Sequence, residues 1–181
     1  MTGFPYIHQP DSMMCGIACL KMVCRYYDND LSMERLSELC HATAEGVSLL
    51  GISDAANELG LHTVAVRIGA FQLTEAPLPC ILHWNQNHFV VLYKVRKRKK
   101  FYVADPGKGL VKYNLEEFKS HWISTRSNGE EKGIAMFLEP TPAFYTHMED
   151  GKSEKDKNRR SFRFLFGYVK KYKRYFGQVV L

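Results

Sequence analysis

No stretch of 18 consecutive apolar residues occurs in the 181-residue chain, so no segment reads as a helix that crosses a bilayer by itself. The N-terminus, Met-Thr-Gly-Phe-Pro-Tyr, lacks a basic start followed by an apolar run. It does not read as a secretory signal, and a cytoplasmic origin is expected. The five cysteines, Cys15, Cys19, Cys24, Cys40 and Cys80, are odd in number and irregular in spacing, which argues against a disulfide framework. No Cys-x-x-Cys pair is present, and adjacent Cys40-His41 is poor ligand spacing, so a structural zinc site is not expected. There are no internal repeats and no nucleic-acid recognition motif.

Apolar side chains are abundant instead. They make up 45% of residues, with 13% aromatic, enough to fill a core. Charge is unevenly placed. Residues 152–175 hold ten Lys/Arg against two Asp/Glu, while the remainder carries 15 against 17. A slightly acidic globular part over 1–140 is therefore expected, followed by a polar linker over 141–158 and a basic, aromatic helix over 159–181. The end at Gln178-Val-Val-Leu181 suggests a piece of a longer protein.

Residues 14–27 read as a helix. Ile17, Leu20, Cys24 and Tyr27 recur at helical spacing, and Asp11 and Ser12 upstream are helix-start residues. A second helix follows a Ser32 cap, with Leu36, Leu39 and Cys40 as its apolar stripe. A third covers about 48–59, with Gly60 at its C-terminal end. The pattern then shifts to period two. Strands are expected over 61–67, 79–84, 88–95, 101–104, 110–113 and 133–139, with a short helix at 116–122. Helices first and an antiparallel sheet after is an α+β order.

Thiol hydrolysis needs a thiolate, a base, an orienter for the base, and donors for the oxyanion. Cys15 is the nucleophile candidate. At a helix N-terminus, free N–H groups and the macrodipole favour the thiolate and can lower a cysteine pKa from ~8.5 to about 3.5–7.5. Gly16 beside it is expected to leave room for a substrate carbonyl. The other four cysteines sit among apolar neighbours and read as inert small hydrophobes. His88 opens a buried strand and is the base candidate. Asp105 closes the next strand across the turn Arg96–Lys100, and an antiparallel hairpin brings the two to one end of the sheet. Asp105 can then orient the imidazole, although Asp105-Pro106-Gly107 is also a strong turn signal. Gln9, six residues before Cys15, is the oxyanion-donor candidate, together with the Cys15 backbone N–H. His83 is a candidate cleft-lining residue without a catalytic role.

These residues resemble the cysteine peptidase domain at the N-terminus of bacterial peptidase-containing ABC transporters of the bacteriocin-processing type. The resemblance runs from about Gln9 to Trp122. It rests on Gln9-x-Asp11-x-x-x-Cys15-Gly16-x-Ala18-Cys19-Leu20, and on Gly46-Val-Ser-Leu-Leu-Gly-Ile with Ala55-Ala-Asn-Glu-Leu-Gly60. Further blocks are Leu78-Pro-Cys-Ile-Leu-His-Trp84 with His88-Phe-Val-Val-Leu, and Ala104-Asp-Pro106 with Glu117-Phe118 and Trp122.

The resemblance implies a papain-like fold, with an N-terminal helical part and an antiparallel sheet part. It implies cleavage after a double-glycine leader, Gly-Gly or Gly-Ala, of an exported peptide. Gln9, Cys15, His88 and Asp105 match the family's oxyanion donor, nucleophile, base and orienter. Met14 departs from the pattern, since many relatives carry an acidic residue there. Proteolysis needs no cofactor, and ATP is implied only for a transporter part outside this sequence. The implied partners are the precursor peptide and the transmembrane and nucleotide-binding domains of the same transporter. An anionic membrane surface for the basic tail is implied as well, on the cytoplasmic face of the plasma membrane.

Leader binding would use an apolar groove. Leu49, Leu50 and Ile52, or the aromatics near Tyr6 and Phe71, are candidate walls. Two other readings remain at this point: a catalytically silent domain that docks cargo, and another papain-like hydrolase or amidase.

Overall fold

The computed structural model describes residues 3–127 and 129–146. Of the expected linker, residues 147–158 lie outside the described residues, as does the basic, aromatic helix expected over 159–181. The part up to Tyr145 is one compact unit.

Three helices come first: α1 (Cys15–Tyr26), α2 (Met33–Leu39) and α3 (Leu49–Glu58). Seven strands follow: β1 (Leu61–Ile68), β2 (Cys80–Trp84), β3 (His88–Arg96), β4 (Lys100–Asp105), β5 (Gly109–Asn114), β6 (Ile123–Ser127) and β7 (Glu130–Pro140). Among them lie α4 (Ala70–Glu75) and α5 (Leu115–Trp122), and α6 (Pro142–Thr146) comes after β7. The sheet runs in the order β1-β7-β2-β3-β4-β5, with β6 paired to β7, and every pairing is antiparallel. This is the α+β order expected from the change of hydrophobic period.

Local chemistry sets most boundaries. Ser32 and Ser48 cap α2 and α3, accepting from the N–H groups of Arg35 and Gly51 at 3.1 and 3.0 Å. Asn114 and Glu117 form a reciprocal capping box at the start of α5, both bonds 2.9 Å. The short α4 and β6 escape periodicity, because five or six residues are too few to establish a repeat.

The central strands are buried on both faces. On β3, Phe89 and Val91 pack with Cys15, Ile17 and Leu20 under the helices, while Val90 and Leu92 pack with Trp84, Phe101 and Phe118 on the other side. A strand covered on both sides reads as a continuous apolar run, which is why His88-Phe-Val-Val-Leu shows no alternation.

The globular part extends past the expected boundary at 140. Residues 142–146 form α6, and Phe144 is fully buried in the helical core. Gly60 makes this docking possible. Its φ of +86° suits glycine, and a Cβ there would strike the backbone of Phe144. The Gly60 carbonyl accepts from both the backbone N–H and the hydroxyl of Thr141, at 3.0 and 2.7 Å. One buried aromatic outweighs the polar composition around it. Phe144→Ala is expected to cost about 3–5 kcal/mol in urea denaturation, and a chain ending at residue 140 should lose at least as much.

Candidate active site

Cys15 is the first residue of α1. Asp11 does not cap this helix. Its carboxylate accepts from Met13 N at 2.8 Å and caps the single 3-10 turn Ser12–Met14 ahead of it. Met14 precedes Cys15 without a side-chain cap, and no acidic residue lies in the first turn of α1. The positive end of the helix dipole is therefore left uncompensated by its own side chains at the thiol.

The β3–β4 hairpin carries the other two groups. Its register pairs Val91 with Ala104, with a bulge between Leu92 and Lys94, so the start of β3 lies by the end of β4. His88 Nε2 is 2.8 Å from Asp105 Oδ1, and the same oxygen accepts the Gly107 N–H at 2.9 Å. The His88 side chain keeps 21% exposure, whereas that of Asp105 keeps 1%. The carboxylate is thus sealed while the imidazole reaches the surface. His88 also hydrogen-bonds Cys15.

The charges follow from these contacts. Burial pushes the Cys15 thiol up, but the hydrogen bond from His88, the Phe89 and Gly16 backbone N–H groups and the imidazolium charge outweigh it. The thiol ends below its ordinary 9.0. Burial pulls His88 down, and its hydrogen bonds and charge interactions with Asp105 and Cys15 lift it to about 9. Burial raises Asp105, while His88, the Gly107 N–H and Lys108 bring it below its ordinary 3.8. Both shifts favour a thiolate–imidazolium pair beside the Asp105 carboxylate.

Gln9 joins this group through the turn after Asp105. Its backbone N–H donates to Pro106 O at 3.0 Å, and a Cβ on Gly107 would lie 3.7 Å from its side-chain amide. Its Oε1 is buried, with no hydrogen-bond partner among the described residues. Turn chemistry and imidazole orientation are not alternatives for Asp105, because one oxygen serves both. The Phe89 and Gly107 N–H groups escaped sequence reasoning, as backbone donors carry no residue signature. Asp-Pro-Gly was the available signal for the second.

Gly16 corrects an expectation. It is buried, and a Cβ on it would collide with Val47 and with Ile52, 2.7 Å away, and crowd Phe89 at 3.2 Å. The glycine admits core side chains against the helix rather than opening space for substrate. Ile52, fully buried, is likewise no wall for a leader, whereas Leu50 and Phe71 are 69% and 66% exposed. His83 is half-buried against Phe89 (5.4 Å between ring centres). Burial, partly offset by a hydrogen bond with the Gln86 backbone, lowers its pKa.

The remaining thiols differ from Cys15. Burial drives Cys19 well above its ordinary value, Cys24 to about 12 and Cys40 to about 11, and it also raises buried Cys80. Iodoacetamide at mildly acidic pH is expected to label Cys15 alone, as read by peptide mass mapping. Equal labelling of all five cysteines would show that Cys15 is not activated. Among the described residues, no three His, Cys, Asp or Glu side chains gather into a metal site.

Comparison with known proteins agrees with this fold. The model of the Peptidase C39 family matches residues 3–126. The colicin V secretion/processing ATP-binding protein CvaB of Escherichia coli is 31% identical over 97% of the chain, which covers 23% of that protein. The probable microcin-H47 secretion/processing ATP-binding protein MchF of Escherichia coli is 34% identical over 77% of the chain and 19% of its own length. The chain therefore spans less than a quarter of these curated relatives. A crystal structure of a double glycine motif protease from an AMS/PCAT transporter, in complex with the leader peptide, superposes with a TM-score of 0.67. It shows 35% identity over 76% of this chain and 91% of that one. With a papain-like fold and a helix-start thiol paired to a hairpin histidine, the chain belongs to the peptidase C39 family of cysteine peptidases.

Proposed function

We propose that the chain removes double-glycine-type leaders from peptide precursors destined for export. The observation that carries this reading is the hydrogen-bonded run from Cys15 through His88 to Asp105. Cys15 Sγ attacks the carbonyl of the leader's last residue. The oxyanion is met by the Cys15 backbone N–H and the Gln9 side-chain amide, each such donor worth ~10²–10³ in rate. His88 gives its proton to the departing amine and then takes one from the water that hydrolyses the acyl-enzyme. Asp105 holds the imidazole throughout.

A leader ending in Gly-Gly or Gly-Ala would suit a cleavage channel narrow enough to pass only residues with no Cβ or a small one. The double-glycine protease solved with its leader peptide supports that substrate class. Relatives named for secretion and processing support a place beside the transmembrane and ATP-binding domains of one transporter. In that setting the unit works on the cytoplasmic face of the membrane, and the basic, aromatic composition of 159–181 suits anionic lipid.

Precursors encoded near the gene test the reading. Incubation with the chain is expected to release the mature peptide, cut after the second glycine as read by mass spectrometry. Replacing that glycine by valine should block the cut. Cleavage at unrelated sites, or equal cleavage of the valine variant, would sink the assignment.

A further inference from the structure

The tip of the β3–β4 hairpin concentrates charge that the reaction does not use. Lys94, Arg96, Lys97, Arg98, Lys99 and Lys100 put six cations into seven residues without an acid among them. Outside 94–100 and 152–175, the chain carries nine Lys/Arg against 17 Asp/Glu. Positive charge in the globular part is therefore gathered at one place on an otherwise acidic unit. All six side chains are exposed. Arg98 pairs with Glu75 at 2.8 Å and lies 5.1 Å from the ring centre of Phe71, itself 66% exposed. Lys94 and Arg96 lie over Tyr102, at 5.4 and 5.9 Å. Basic heads are thus interleaved with aromatic rings, one of them open to solvent, and that combination suits the headgroup region of a bilayer.

Position matters as much as composition. His88 begins β3 and Asp105 ends β4, so the catalytic groups and the tip occupy opposite ends of one hairpin. Eight residues of strand at ~3.3 Å each separate them by roughly 26 Å. A surface can hold the tip without covering the cleft.

We propose that this tip, with Phe71, docks on the anionic headgroups of a membrane. The proposal rests on the reading of the chain as part of a membrane transporter. The cations supply attraction that salt screens, and Phe71 enters the headgroup boundary. Flotation of the 181-residue chain with vesicles tests it, using phosphatidylcholine alone or with a third replaced by phosphatidylglycerol. Lys97→Asn with Lys99→Glu and Lys100→Glu is expected to weaken binding to the anionic vesicles at least about tenfold. Phe71→Ala should weaken it less, and high salt should release the native chain. Precursor cleavage by the triple variant in the absence of vesicles should stay unchanged, so its loss would strike the catalytic reading and not this one. Equal binding of the native chain and the triple variant would overturn the proposal, leaving the basic tail as the membrane contact. Failure of both to bind would also overturn it.

A different observation assigns a role to the N-terminal segment. Pro106 O accepts two hydrogen bonds from it, one from the Gln9 N–H at 3.0 Å and one from the Tyr6 hydroxyl at 3.1 Å. Phe4 anchors the segment by stacking on Tyr93 of β3 at 4.5 Å. Residues 4–9 therefore strap the turn after Asp105 to the hairpin that bears His88. We infer that Tyr6 is a positioning residue, holding Asp105 on the imidazole through Pro106. Tyr6→Phe keeps the ring and removes the bond to Pro106 O together with the longer contact to His8 Nδ1 at 3.3 Å. It is expected to lower kcat about fivefold, with KM unchanged, and to move the alkaline limb of the pH profile below about 9. An unchanged kcat and pH profile would overturn the inference, as would a fall in Tm that leaves the profile in place.

Discussion

Cys15→Ala is expected to reduce precursor cleavage by on the order of 10⁴–10⁶-fold, since removing a nucleophile from a unit that acts in concert costs about as much as removing the whole unit. The residue lies at the start of α1, 6% exposed, with Val47, Ile52 and Phe89 packed against its neighbour Gly16. Alanine fits the same space, because it keeps Cβ and removes only the sulfur of a small side chain. Melting temperature and circular dichroism should therefore match the native chain, which separates lost chemistry from lost fold. The same substitution at Cys19 removes a buried thiol from the middle of the helix and should leave the rate within a few-fold. Residual cleavage by the Cys15 variant at the native rate would take this thiol out of the mechanism.

The hairpin that joins His88 to Asp105 was legible because its signals are spaced along the chain in a way topology must honour. His88 and Asp105 are 17 residues apart on strands joined by a tight basic turn, so antiparallel pairing had to bring them together. Cys15 was legible from its place at a helix start. What stayed hidden was decided by packing between distant segments. Gly16 looked like an opening because a missing side chain can mean either space or close approach, and only Val47 and Ile52 arriving from another helix and its entry loop settle which. Phe144 sits in a polar, proline-flanked stretch, and nothing local says that Gly60 will receive it. Gln9 was a candidate by its distance from Cys15, yet its visible tie is to Pro106, a hydrogen bond across 97 positions that no short motif encodes.

The second large effect is expected from Asp105→Asn, and pH should reveal it. In the native protein the His88 proton is retained up to about 9, and hydrogen bonding to Asp105 is the largest of the contacts that raise it against burial. An amide keeps the shape and removes the charge. His88 then falls toward its ordinary 6.5 or below, since burial still acts, and the Cys15 thiol rises as the imidazolium beside it is lost. The pair needs protonated His88 and ionised Cys15 together, so its window narrows from both sides. At pH 8, kcat/KM should drop by about 10²-fold, one factor from the lost proton and another from lost control of the tautomer. The deficit should shrink toward pH 6, and the alkaline limb should move down. Stability follows the same groups. His88, raised in the fold, contributes fully below 6.5 and less as pH climbs through about 9. Asp105, lowered in the fold, contributes above 3.8 and less as pH falls through its shifted value. The variant's loss of stability should therefore be greatest between 3.8 and 6.5. An alkaline limb still near 9 in the variant would mean that Asp105 does not hold the charge on His88, and that the ion pair depends on Cys15 alone.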